Sequence, residues 1–142
     1  MKEPLLTIAI PTFNRAKYLG ECLESVARAI GGDPRVEVVV CDNASTDDTV
    51  RVCAAFRDTF PSLRFHRNAE NIGVHRNCRR VAELAYGKVL WLFGDGDRMD
   101  PSVVGRVLGE LERGADMVVS NVSVWNRDFS RFLKARFIPR ME

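Results

Sequence analysis

Hydrophobic period switches back and forth along this chain, and few architectures can satisfy that switching. Short apolar runs at Leu5–Ile10, Val36–Cys41, Leu63–His66 and Val89–Phe93 alternate with longer segments whose apolar residues return every three or four positions. The runs are too short for helices and predict strands. The stripes Leu19, Cys22, Leu23, Val26, Ala27 and Ile30, then Val74, Cys78, Val81, Ala82 and Ala85, then Val104, Val107, Leu108 and Leu111, predict one-faced helices. A further helix runs through Phe56, started by a capping box of Ser45 and Asp48. Pro11 stops the first strand, Asn14 offers an N-cap, and Gly31-Gly32-Asp33-Pro34 ends the first helix. Gly87 follows the second stripe as a C-cap. Asp100-Pro101 opens the last helix, Gly114 closes it, and Met117–Ser120 begins a fifth strand. No tight hairpin signal separates the strands. The pattern therefore predicts βαβ units and a doubly wound, mostly parallel α/β sheet with helices on both faces, Rossmann-like in layout.

Size and charge narrow the function classes. At 142 residues the chain is one domain with a real core, and a net charge of +2 argues against a dedicated nucleic-acid binder. Cys22, Cys41, Cys53 and Cys78 form no CxxC pair and fall in apolar patterns, so they read as buried thiols of a cytoplasmic protein. No apolar run of membrane-spanning length is present.

The run Val89–Phe93 reads as a strand buried on both faces that ends in Gly94-Asp95-Gly96-Asp97. Two carboxylates one residue apart suit one hard cation, Mg²⁺ or Mn²⁺, which in turn holds a diphosphate. In parallel sheets ligands bind at the carboxyl ends of strands. The residues there are Pro11, Thr12, Phe13, Asn14 and Arg15 after the first strand, Asp42 and Asn43 after the second, and Asp95 and Asp97 after the fourth.

Other chemistries fail on their residues. PTFNR replaces the GxGxxG of a dinucleotide fold, no GxxxxGK[ST] exists, and no G-x-S-x-G elbow appears. An EF-hand starting at Asp95 lacks its glycine, because Asp100 stands at the sixth position. His66 and His75 have no metal-ligand spacing.

Read in order, LLTIAIPTFNRAKYLGECLESV, VEVVVCDNASTDDT and NAENIGVHRNCRRVAELAYGKVLWLFGDGD resemble the nucleotide-sugar-binding half of family 2 glycosyltransferases, the inverting group with the GT-A fold. The resemblance spans about residues 5–120 and most resembles the abequosyltransferase-like branch of surface-polysaccharide synthesis. It implies transfer of a sugar from a UDP- or CDP-linked donor to an acceptor hydroxyl on a glycan or a lipid-linked sugar. It further implies that Pro11, Thr12 and Asn14 border the base and ribose and that Asp42, beside Asn43, hydrogen-bonds the pyrimidine. Asp47 matches a second family aspartate, although the helix cap already explains that stretch. Arg76 approaches the phosphates, in a group with Asn71, His75 and Asn77 that only the resemblance brings to this edge. Asp95 and Asp97 match the metal-binding DxD, with Asp97 the direct ligand; Gly94 stands where many members carry the first aspartate.

The family's general base follows well after the DxD. Beyond Asp100, which opens the last helix, Asp116 and Asp128 are the only later aspartates, and neither is nominated. The expectation is a donor-binding domain over residues 1–120 and, over 121–142, the start of the acceptor-side half, with the base missing and weak transfer by the chain alone. The tail from Asn126 carries Arg127, Arg131, Lys134, Arg136 and Arg140 interleaved with Phe129, Phe132, Leu133, Phe137 and Ile138. Its sharper reading is contact with an anionic membrane at the inner face, or homo-oligomer formation. Two rivals stand beside the transferase: a sugar-phosphate nucleotidyltransferase and a non-catalytic nucleotide-binding or assembly module.

Overall fold

The computed structural model describes residues 3–120 and 122–135. Its elements follow in the order β1 (Leu6–Thr12), α1 (Ala16–Ile30), β2 (Val36–Asp42), α2 (Thr49–Ala55), β3 (Leu63–Arg67), α3 (Val74–Glu83), β4 (Val89–Leu92), α4 (Val103–Glu112), β5 (Ser123–Trp125) and β6 (Phe132–Ala135). The first four strands form one parallel sheet in the order β3-β2-β1-β4. The α/β alternation read from the hydrophobic period is the one observed.

Side chains of β1 and β2 separate the two faces. Leu6, Ile8, Ile10, Val36, Val38 and Val40 meet α1, α2 and α4 in the main core, with Leu19, Leu23, Val26 and Leu108 fully buried among them. On the other face Ala9, Val39 and Cys41 meet Val81 of α3. Helix α1 ends as its glycine requires: Gly31 takes the left-handed conformation (φ 58°) and its N–H returns to the Ala27 carbonyl.

Several boundaries differ from those the sequence predicts. Strand β1 continues through Pro11, paired with Cys41, to Thr12. Even-numbered residues of β1 bond toward β2 and odd-numbered ones toward β4, so the missing N–H of Pro11 falls on the β4 side. That ladder has already reached its last rung there, with Phe93 N–H donating to Ala9 O at 2.9 Å. Proline thus releases β4 from the sheet without interrupting the ladder to β2.

Strand β4 is buried on one face only. Leu90 and Leu92 are 43% and 49% exposed, because α3 lies over β1 and β2 and no described strand pairs along the outer edge of β4. The expected fifth parallel strand at Met117–Ser120 is absent; a strand needs a hydrogen-bonded neighbour, and this segment has none. The chain makes instead an antiparallel β5–β6 hairpin that the sequence did not announce, with Trp125 and Phe132 edge-to-face at 5.3 Å. Tail residues Arg136, Phe137, Ile138, Arg140 and Glu142, and the side chain of Lys134, lie outside the described residues. Helix α4 starts at Val103, after a turn in which Asp100 Oδ1 accepts from the Ser102 N–H and hydroxyl. No helix among the described residues is long and apolar enough to cross a membrane.

Gly87 does not cap α3, which ends at Glu83 with Leu84 as its C-cap. It lets the chain pass β1: an added Cβ would lie 2.6 Å from Thr7 Oγ1 and 2.7 Å from the Thr7 nitrogen. Beside it sits Glu37, a buried carboxylate on the α3 face. Its Oε1 accepts from Thr7 Oγ1 (2.6 Å), Tyr86 N–H (2.5 Å) and Gly87 N–H (3.2 Å), and its Oε2 from Arg64. Arg64 also stacks on the Tyr86 ring at 3.8 Å and donates to Leu84 O. One charged pair therefore ties β1, β2, β3 and the α3–β4 connection together.

Two outcomes are expected. Gly87→Ala should lower stability by about 2 kcal/mol, read as a fall in denaturant midpoint, because the clash is with backbone. Burial raises the Glu37 pKa, but Thr7, Tyr86 N–H and Arg64 outweigh it and hold the carboxyl below the usual range. Its contribution is therefore complete above the ordinary glutamate range and lost as pH falls through the lower native value. Thermal unfolding in steps down to pH 3 should show a smaller acid loss in Glu37→Gln than in the parent chain.

Candidate functional site

Strand order reverses between β1 and β4, and at the carboxyl ends of these two strands the chemistry-bearing side chains converge. Thr12 closes β1, and its Oγ1 donates to Asp95 Oδ2 at 2.8 Å. Arg15, in the following loop, brings its Nε to 3.0 Å from Asp95 Oδ1. Both oxygens of Asp95 are engaged, and its side chain is only 15% exposed. Asp97 is exposed, and no donor among the described residues bonds its carboxylate. Burial raises the Asp95 pKa, Thr12 and Arg15 pull it back, and Asp97 adds to the rise.

The two glycines of this turn make room for charge. An added Cβ at Gly94 would lie 2.6 Å from Asp97 Oδ2, and one at Gly96 would lie 2.5 Å from an Arg15 terminal nitrogen. The backbone closes with Asp97 N–H on Gly94 O at 3.1 Å. Helix α1 is the platform beneath. Cys22 Sγ donates to Gly94 O at 3.5 Å, Met99 N–H donates to Ser25 Oγ at 3.0 Å, and Arg98 pairs with Glu21 at 2.8 Å. Burial first, then Asp95 and Asp97, push the Cys22 thiol up to about 12, so it stays a donor. Cys22 and Ser25 were read only as helix-face residues or not at all; the signal was a hydroxyl set three positions after Cys22 on a buried stripe.

Beside this pair the β1 and β2 loops clasp each other. Asn14 N–H donates to Ser45 Oγ (2.8 Å), Thr46 N–H to Asn14 Oδ1 (2.8 Å) and Ala16 N–H to Asp47 Oδ2 (3.0 Å). Asn14 therefore caps no helix: Arg15 holds that position, and Asp47 supplies the acceptor from across the clasp. Ser45 and Asp48 form no capping box, because the Ser45 hydroxyl is turned to Asp42. Asn14 and Ala44 both sit at positive φ (50° and 62°), local strain concentrated at this edge.

Asp42 is fully buried. Its Oδ1 accepts from Ser45 N–H (3.0 Å) and hydroxyl (2.5 Å), and Oδ2 takes Arg67 at 3.1 Å, leaving one acceptor position. Asn43 is buried in a network of four amides. Asn68 Nδ2 donates to Asn43 Oδ1 (3.0 Å) and Asn77 Oδ1 (2.8 Å), and Asn43 Nδ2 to Asn71 Oδ1 (2.7 Å). Asn77 Nδ2 donates to Cys41 O (3.0 Å). Arg76 stands exposed on the first turn of α3, with no bonded partner among the described residues.

The structure thus gathers Pro11, Thr12, Asn14, Asp42, Asn43, Asp95 and Asp97 along one sheet edge, while Arg76 is left unpaired in solvent at its border. A cleft of about 790 Å³ opens beside Asp97, toward the β5–β6 hairpin, lined by Arg15, Tyr18, Trp91, Trp125 and Phe129. Among the described residues no three His, Cys, Asp or Glu converge as an all-protein metal cage. The donor set is two hard carboxylates in an open turn. That fits Mg²⁺ or Mn²⁺, which keep waters and take their other oxygens from a phosphate ligand.

Comparison with known proteins shows the family and the fold. Residues 7–141 match the family model described as glycosyl transferase family 2. The chain is 33% identical over 115 residues to the abequosyltransferase of Salmonella typhimurium, covering 80% of this chain and 34% of that protein. It is 34% identical over 134 residues to a PGL/p-HBAD biosynthesis glycosyltransferase of Mycobacterium bovis, covering 91% and 51%. Among solved structures, S. aureus TarS in complex with UDP superposes with a TM-score of 0.71 at 23% identity over 76% of this chain and 32% of that one. Mannosyltransferase PcManGT from Pyrobaculum calidifontis, in complex with GDP-Man and Mn²⁺, superposes with 0.68 at 26% identity over 91% and 38%. The chain thus spans about a third to a half of the length of these relatives.

If the amide network holds the loops, removing one member should be felt well beyond its size. Asn77→Ala leaves one buried Asn68 N–H without its acceptor and removes the side-chain donor on the Cys41 carbonyl, and should lower stability by about 2 kcal/mol. Amide hydrogen exchange of Asn68–Gly73 in that variant should quicken, while exchange in α1 stays slow.

Proposed function

The chain belongs to glycosyl transferase family 2, and from that premise we propose that it is the donor-binding part of an inverting, metal-assisted transferase that moves a sugar from a nucleoside diphosphate to an acceptor hydroxyl. The observation that carries this reading is the meeting of Thr12, Arg15, Asp95 and Asp97 at the β1–β4 switch point, with one carboxylate held and the other open. Its relatives include an abequosyltransferase and a PGL/p-HBAD biosynthesis glycosyltransferase, and we assign this chain a role in surface polysaccharide or glycoconjugate synthesis. All four cysteines are free thiols, with Cys22, Cys41 and Cys53 buried and Cys78, against expectation, only half-buried.

In this reading the base and ribose lie along the Pro11–Asn14 and Asp42–Ser45 loops. Asp42 is fully buried under Arg67, so it bonds the ring N–H of uracil or the amino group of cytosine once the half-exposed Arg67 side chain swings off Oδ2. Asn43 sets the loop from behind through the amide network, and Arg76 extends toward the phosphates. Asp97 is the direct ligand of the ion, and Asp95, oriented by Thr12, completes the pair. When bound, Mg²⁺ or Mn²⁺ supplies Lewis-acid stabilisation to the charge that develops on the departing diphosphate. The aromatic-lined cleft beside Asp97 has the volume for a sugar and the edge of an acceptor, a glycan or a lipid-linked sugar. The acceptor oxygen bonds the anomeric carbon as the bond to the diphosphate oxygen breaks, a general base takes the hydroxyl proton, and the nucleoside diphosphate leaves. Among the described residues after Asp97, Asp128 closes its own turn on Ser130 and Asp116 is exposed away from any partner, so neither is assigned as that base.

Calorimetric titration of UDP, CDP and GDP, with and without Mn²⁺, into this chain and into Asp97→Ala tests the reading. The expected result is metal-dependent binding of one pyrimidine diphosphate, weakened at least tenfold in the variant. No binding of any of the three by demonstrably folded protein would sink it and leave an assembly module built on the same fold.

A further inference from the structure

We propose that Arg15 is a built-in counter-cation of the carboxylate pair, one that a divalent ion must displace and that the incoming diphosphate then receives. The inference rests on the donor-site reading above and assigns a role to a residue that reading leaves without one.

Three observations carry it. First, Arg15 does not sit beside the pair by accident of a long side chain. Gly96 is open at the position a Cβ would fill, 2.5 Å from an Arg15 terminal nitrogen, and the guanidinium lies over the Tyr18 ring at 4.7 Å. Second, it takes Asp95 Oδ1 while Thr12 takes Oδ2, so neither oxygen of the buried carboxylate is without a partner, whereas Asp97 is left open. An ion shared by the two aspartates has to compete for Asp95 with a group already in place. Third, the Arg15 side chain is 42% exposed, so leaving Asp95 requires no repacking of the core.

The electrostatics then give an order of preference. A guanidinium stays charged at every working pH, so it cannot make way by losing a proton. A divalent cation arriving alone meets a fixed positive charge a few ångströms from its second ligand and must release it into water. Arriving with a diphosphate, the same ion releases Arg15 to a new anionic partner, with the bidentate geometry that guanidinium offers to phosphate oxygens. Arg15 therefore makes metal and nucleotide bind better together than apart. By linkage the effect on each is the same factor.

The test measures Mn²⁺ affinity without nucleotide, by the electron paramagnetic resonance signal of free Mn²⁺, in the parent chain, Arg15→Gln and Gly96→Ala. The second variant keeps the arginine and crowds it off Asp95. Both should bind Mn²⁺ alone about five- to tenfold more tightly. In Arg15→Gln the ratio of nucleoside diphosphate affinities with and without Mn²⁺ should fall by a similar factor. Circular dichroism checks that each variant is folded. Unchanged or weaker Mn²⁺ binding in Arg15→Gln would overturn the proposal even where the parent chain binds metal and nucleotide together. Absence of nucleotide binding in the parent chain, by contrast, counts against the donor-site reading itself.

Discussion

The end of the β1–β4 ladder organises everything functional in this molecule. A parallel strand can leave a sheet only where the next rung is not demanded, and Pro11 removes that demand on one side of β1 while the ladder to β2 runs on to Thr12. Two strands that had been neighbours then diverge, and the gap between them is filled by polar groups. Thr12 and Arg15 arrive from one side and Asp95 and Asp97 from the other. Helix α1 is anchored in the main core by Leu19, Leu23 and Val26 and holds the underside of the gap through Cys22 and Ser25. Apolar burial thus sets the position of a polar turn.

Much of this was readable from the chain itself, and the reasons are local. Short apolar runs and period-3.6 stripes distinguish β1, β2 and α1, and an apolar run stopped by GDGD marks β4 and its turn. What escaped depends on distant partners. Met117–Ser120 has the composition of a strand but lacks a neighbour to bond, and Leu90 and Leu92 look like core residues until the reach of α3 is known. Asn14 and Ser45 each resemble a helix cap, yet they bond to each other's loops, 31 positions apart. The same holds for the amides of Asn43, Asn68 and Asn77, whose bonds join the loops after β2 and β3 to helix α3. Carboxylates advertise themselves in sequence; the neutral groups that position them do not.

Two buried carboxylates illustrate opposite uses of charge. Glu37, at the start of β2, is compensated on every side and serves as a hub between strands. Asp95 has fewer compensating donors beside a second aspartate, and burial leaves its pKa raised while that of Glu37 is lowered. The first arrangement stabilises the fold. The second holds negative charge in a place that favours a positively charged ligand, a cost to the fold that is characteristic of functional sites.

The amide network has a consequence for how the edge behaves as conditions change. Side-chain amides carry no net charge and do not titrate, so the contacts among Asn43, Asn68, Asn71 and Asn77 persist across acid, base and salt, although the Arg67–Asp42 ion pair beside them is charged. The turn after β4 is held by the Arg15–Asp95 ion pair, which responds to acid and to salt. One end of the edge is a fixed template and the other an adjustable one, set side by side on a single rigid sheet. Changes in proton or ion concentration can therefore retune the charged end without disturbing the shape of the neutral end.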